Sequence, residues 1–113
     1  MPQNRKKLIE LFIGNLSNVI VHQISLAATD KDEIASKYKK ELETSLSISK
    51  KYREKINPKN YTLPEKDIGY IKTQVSNKTI SELRKRISQG YKNIDLSLIN
   101  ELVDKALKDT NIV

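Results

Sequence analysis

Few side chains in this sequence are suited to proton transfer or metal binding at neutral pH. His22 is the only histidine and cysteine is absent. Thiolate nucleophiles, disulfides and multi-histidine metal sites within one chain are therefore excluded. A serine nucleophile would need His22 as its base, yet His22 stands in a run of apolar residues spaced like a packed helix. Asn15, Asn18 and His22 follow one edge of that run, where they suit a polar rim better than a catalytic site. Acids gather at Asp30, Asp32 and Glu33, directly after Thr29. A capping oxygen followed by carboxylates marks a helix start, where acids complement the positive end of the dipole. There is no glycine-rich phosphate loop and no metal-ligand spacing. The chain is expected not to be an enzyme, and to need neither cofactor nor metal.

Positive charge, by contrast, is abundant: 21 Lys and Arg against 14 Asp and Glu, a net +7. It is concentrated in the middle, with a net +4 over residues 31–60 and +3 over 61–90, whereas 91–113 carry −1. That distribution suits a face that meets a polyanion. A surface in which 17 Lys accompany 4 Arg also serves solubility.

The elements that must position these charges are helical. With only three Gly and three Pro, residues 1–113 are expected to form a single all-α domain, a compact bundle of four to five helices. The first spans about 4–28. Its Leu8, Ile9, Leu11, Phe12, Leu16, Val19, Ile20, Leu26 and Ala27 cover more than half the circumference, as in a central helix or half of a subunit interface. Arg5, Lys6 and Lys7 ahead of this stretch superficially suggest a signal peptide, but Glu10, Asn15, Asn18, His22 and Gln23 interrupt it. A soluble helix without a membrane partner is expected, and the lack of cysteine fits a cytoplasmic location.

A second helix is expected over 31–56. Ile34, Tyr38, Leu42, Leu46, Tyr52 and Ile56 point inward, and Ser45 and Ser49 allow close approach; Asn57-Pro58 ends it. Thr62-Leu63-Pro64-Glu65 is a capping box that opens a third segment. Ile68, Ile71 and Val75 form one stripe of that segment, and Ile80, Leu83 and Ile87 another. On a continuous helix the two stripes are offset by about 100°. Reading Thr79-Ile80-Ser81-Glu82 as a second capping box and 76–78 as a turn divides the segment into helices 63–75 and 80–89. One curved helix is the alternative. Gly90 then acts as a terminator, and Asp95 caps a last helix, 96–109, whose broad apolar face includes Leu98, Ile99, Leu102, Val103, Ala106 and Leu107. Helices 4–28 and 96–109 are accordingly the candidate surfaces for a homodimer or a docked protein partner.

Divided in this way, residues 63–89 resemble a helix–turn–helix, through Val75-Ser76-x-x-Thr79-Ile80-Ser81-x-x-Arg84. Val75, Ile80 and Leu83 would lock the turn onto the domain. Ser76, Asn77, Lys78 and Ser81 would then face outward at the start of a recognition helix, placed to read DNA base edges in the major groove. Lys78, Arg84, Lys85 and Arg86 would neutralise phosphates, with Lys72 and Lys92 further out. The segment departs from the motif at Tyr70 and Gln74, where a small residue and a glycine are usual, and Glu82 brings a negative charge close to the groove. Tyr61, Tyr70 and Tyr91 lie near the basic region, where they can stack on bases or pack at helix ends.

A second resemblance overlaps the first. Leu83-Arg84-Lys85-Arg86-Ile87-Ser88-Gln89-Gly90-Tyr91, followed by Ile94-Asp95, is similar to the arginine–histidine motif segment of the HEPN family, small helical bundles that include ribonuclease toxins and nucleotide-binding partners. Arg84, Gly90, Tyr91 and Asp95 fall at matching positions. Lys85 stands where an asparagine is usual, and Gln89 where the family's catalytic histidine would be. Glutamine cannot exchange a proton near neutral pH, so the resemblance implies a helical bundle that has lost RNA cleavage. Nucleic-acid binding and partner docking are the two broad functions the sequence leaves open.

Overall fold

The helix with the widest apolar face is the one the others surround. The computed structural model describes residues 5–29, 31–56, 63–110 and 112. Four α-helices follow one another: α1 (Arg5–Ala28), α2 (Asp32–Ile56), α3 (Glu65–Ser88) and α4 (Ile99–Asp109), the last preceded by a 3₁₀ turn, Leu96–Leu98. The chain is all-α, a compact helical bundle, as expected. α1 touches α2, α3 and α4. Its Phe12, Ile13, Leu16 and Ile20 are wholly buried, and each such side chain contributes about 1.5–3 kcal/mol. By length and composition alone α1 could cross a membrane; in this fold those apolar residues meet the other helices instead.

α2 doubles back along α1, but it is buried deeply only toward its C-terminal end, at Ser49, Arg53 and Ile56. Leu42, Leu46 and Tyr52 pack at the edge of the core, while Ile34 remains exposed. Ser49 allows close approach, as its small size implies. Its hydroxyl donates to the Ser45 carbonyl of its own helix at 2.8 Å and so needs no partner across the interface. Acids open α2 at Asp32 and Glu33, and the Thr29 hydroxyl accepts from the Lys31 N–H at 3.4 Å. Asp30, the Asn57-Pro58 stop and Thr62 of the first capping box lie outside the described residues.

The expected division at 76–78 does not occur. α3 runs unbroken from Glu65 to Ser88, so residues 63–75 and 80–89 belong to one helix and no turn separates them. The offset stripes do not mark a break: Leu83 of the second stripe continues the buried row of the first, and Ile87 is left exposed. Ile71, Val75, Thr79 and Leu83 form a wholly buried i, i+4 row, with Ile80 packed beside it. Ser76, Asn77, Lys78 and Thr79 each lower helix propensity by only a few tenths of a kcal/mol relative to the best formers. Burying the aliphatic row outweighs that. Thr79 is therefore an interior residue rather than a cap.

Beyond Ser88 the chain ends its helix as the glycine implies. Gly90 has φ +99°, its N–H reaches the Ile87 carbonyl at 3.0 Å, and the Tyr91 N–H reaches that of Arg86 at 3.1 Å. These are the paired bonds of a Schellman motif. Asp95 caps the 3₁₀ turn, accepting from the Ser97 N–H at 2.9 Å and its hydroxyl at 2.6 Å. α4 then buries Ile99, Val103, Ala106 and Leu107, and Lys72 on α3 pairs with its Asp104 at 3.0 Å. Of the apolar faces that the sequence offers to a homodimer, Phe12, Leu16 and Ile20 of α1 and Ile99, Val103 and Leu107 of α4 are buried within the chain. Leu11, Leu26 and Leu102 are only partly covered.

Thr79 supplies a test of the continuous helix. Its hydroxyl oxygen is buried with no hydrogen-bond partner among the described residues. Replacing it by an isosteric apolar group removes a desolvated polar atom, so Thr79→Val is expected to raise unfolding free energy by about 1 kcal/mol. A helix cap at this position would give the opposite sign. Urea denaturation followed by circular dichroism distinguishes the two.

Candidate nucleic-acid interface

A continuous α3 redistributes the seven candidate side chains around one cylinder. At about 100° per residue, Asn77, Lys78, Ser81, Arg84 and Lys85 fall within an arc of about 120°, and all five are exposed. Ser76 and Arg86 lie about 140° to either side of that arc's centre, and both are partly buried. The structure thus gathers five of the expected contacts on one outward face and turns two away from it. Among the described residues no carboxylate pairs with Lys78, Arg84 or Lys85.

Glu82, which the sequence places beside the same surface, stays at its edge, with Arg86 offsetting its charge. Its carboxylate lies 3.5 Å from the Arg86 Nε, and its side chain lines the groove between α1 and α3 together with Asn15, Asn18, Lys78 and Ser81. Asn15 and Asn18 line this groove together, but His22 does not. The Asn15 amide donates to the Leu11 carbonyl of its own helix at 2.9 Å, and Asn18 is exposed.

Arg86 is a hub rather than an exposed phosphate contact. Its guanidinium donates to the Ser25 hydroxyl at 3.0 Å and lies 6.0 Å from the Tyr38 ring centre and 5.8 Å from that of Tyr91. One side chain therefore joins α1, α2, α3 and the loop after α3, through a charge-assisted hydrogen bond and two cation–π contacts. Burial holds the Tyr38 phenol above its ordinary value of 10.0, Tyr91 pushes it further up, and Arg86 opposes both. The sequence gives only partial notice of this cluster. Glu82 and Arg86 share a face at i, i+4, and Tyr38 belongs to the inward stripe of α2, but nothing local links them to Ser25.

His22 joins the neighbouring layer. Its Nε2 lies 2.9 Å from the Glu41 carboxylate, with the Tyr38 ring centre 6.0 Å away. Burial lowers its pKa from the ordinary 6.5; Arg86 also lowers it, while Glu41 works the other way. The single histidine thus packs between α1 and α2, tied to an acid, as its position in an apolar run implies.

The segment that resembles the HEPN motif begins on the last turns of α3 and runs off its end. Arg84 lies on the outer face, Gln89 is the C-cap residue, and Gly90 supplies the left-handed turn. Tyr91 is left 47% exposed beside Arg86. Asp95 serves as a cap. Gly90 and Asp95 thus have structural duties of their own, and all four matching residues, Arg84 and Tyr91 among them, are exposed. No family model matches this sequence, and no curated protein or solved structure shows significant similarity to the chain.

Two outcomes follow from the cluster. Arg86→Ala breaks the only hydrogen bond that the described residues make from α3 to Ser25, and is expected to cost about 2 kcal/mol in a denaturant melt. Because the folded state holds the His22 pKa below its unfolded value, the unfolded chain takes up a proton first on acidification. Stability is then full above about pH 6.5 and declines as pH falls toward the folded pKa. The urea midpoint is expected to drop between about pH 7 and pH 5, and His22→Gln to flatten that part of the profile.

Proposed function

We propose that the chain binds nucleic acid through the exposed face of the C-terminal half of α3, by contacts to phosphates, and carries out no chemistry on it. The observation that carries this reading is the convergence of Asn77, Lys78, Ser81, Arg84 and Lys85 on one solvent-facing arc, with no acid of the described residues paired to its three cations. In a helix–turn–helix the N-terminal end of a recognition helix enters the groove. Here 76–81 lie in mid-helix, so that end is not presented, and base reading through it loses its geometric support. A straight cationic face is suited instead to backbone contacts, which position without specifying sequence.

A second reading is favoured by the placement of the HEPN-like segment, which begins at the end of a helix in an all-helical bundle and leaves Arg84 and Tyr91 exposed. On that reading the nucleic acid is RNA. Gln89, unable to act as a general acid or base, makes the protein a binder rather than a nuclease.

The test is binding of labelled duplex DNA and single-stranded RNA at several salt concentrations. Lys78→Ala/Arg84→Ala/Lys85→Ala is expected to bind more weakly and to reduce the slope of log K against log salt by about two to three. Absence of wild-type binding to either nucleic acid at low salt overturns the proposal. Stronger binding to RNA supports the second reading over a DNA-binding role.

A further inference from the structure

A second feature lies apart from the outer face of α3. Where α1 stops, α2 begins and the loop after α3 crosses over, the chain forms an open cavity of about 450 Å³, within the range of small-molecule sites. None of Lys78, Arg84 or Lys85 lines it. Its walls carry two aromatic rings, Tyr38 and Tyr91, the apolar side chain of Ile34, and two cations, Lys31 and Lys92, with no carboxylate among the described lining residues. Neither lysine is in an ion pair with another described residue.

Arg86 holds the two rings in place from behind, near 6 Å from each centre. The aromatic wall is therefore positioned before any ligand arrives, which lowers the ordering cost of binding. Asn93, which also lines the cavity, has φ +66°. Asparagine tolerates this left-handed region better than most residues, so the conformation is an ordinary turn geometry. Its carboxamide offers one donor group and one acceptor at the rim.

A planar, partly apolar ring carrying a negative group satisfies these walls together. We propose that this cavity binds a single nucleotide, its base against Tyr38, Tyr91 and Ile34 and its phosphate between Lys31 and Lys92. Stacking on tyrosine is tolerant of base identity, and the paired lysines select for the phosphate. The nucleotide can be free or can be the terminal residue of a strand. The site is separate from the α3 face and does not depend on it.

Calorimetric titration of the full chain with the four ribonucleoside 5′-monophosphates tests the proposal, with adenosine and inorganic phosphate as controls and a 5′-phosphorylated tetranucleotide as a further ligand. At least one monophosphate or the tetranucleotide is expected to bind with Kd below about 1 mM, more tightly than adenosine or phosphate alone. Tyr91→Ala and, separately, Lys92→Ala should each weaken it by about tenfold. Lys92 is exposed, so its removal tests the site without disturbing the fold. Lys78→Ala/Arg84→Ala/Lys85→Ala should leave monophosphate binding unchanged. Binding by the tetranucleotide alone, weakened by Lys92→Ala, assigns the site to a strand end. Binding by neither ligand overturns the proposal. So does binding that survives both Tyr91→Ala and Lys92→Ala, or tetranucleotide binding lost only in the α3 triple variant, which leaves the α3 face as the sole site.

Discussion

The arrangement depends on the burial of α1 from several sides at once. A helix with Ile, Leu, Val and Phe around most of its circumference is stable in water only when neighbours cover it, and α2, α3 and α4 each contact it. From that constraint the rest follows. α2 and α3 must lie along α1, and α4 must fold back over α1 and α3. Each of these helices keeps a polar side outward because only part of its own surface is needed to complete the enclosure. The hydrophobic contribution is non-directional; specificity comes from the polar ties laid over it. Arg86 reaches Ser25, Tyr38 and Tyr91 at one end of the bundle, and Lys72 meets Asp104 between α3 and α4.

Packing against α1 and α4 also determines what α3 can offer to a ligand. Ile71, Val75, Thr79 and Leu83 face inward over three successive turns, so the opposite side is exposed for the same length. That side carries Lys78, Arg84 and Lys85, with Glu82 at its edge, paired to Arg86. An acid and a base four residues apart thus offset one another beside the cationic face and, in the same contact, help to fix the hub. The hub in turn orders the tyrosines of a second cavity. Structure and electrostatics are joined at one guanidinium.

Much of the fold was legible in the sequence. The all-helical class, the central role of the first helix, the Gly90 terminator and the Asp95 cap each follow from local chemistry: apolar periodicity, a left-handed glycine and a carboxylate near free N–H groups. The division of α3 was misread for a physical reason. Ile80, Leu83 and Ile87 look like one inward stripe, whereas Leu83 belongs to the row of Ile71 and Val75 and Ile87 is exposed. Thr79 suggested a break because threonine caps helices, whereas here it fills a gap in a buried row. Among the candidate site residues, the five on the exposed arc share a helical face that sequence spacing defines. Ser76 and Arg86 leave it only once the helix is continuous. Arg53 is 2% exposed although it is charged; its register with Ser49 and Ile56 marks the same face, but residue type argues against burial. The contacts of Arg86 with Ser25 and Tyr38 join residues far apart in the chain, and no local pattern encodes them.

Amide hydrogen exchange across α3, resolved residue by residue by NMR, tests the central claim most directly. An unbroken helix predicts that the N–H groups of Thr79 and Ile80 exchange as slowly as those of Val75 and Leu83, since all four are bonded within one helix and lie in or beside the buried row. Rapid exchange confined to residues 77–80, with protected helices on both sides, would contradict the account and restore a turn at that point.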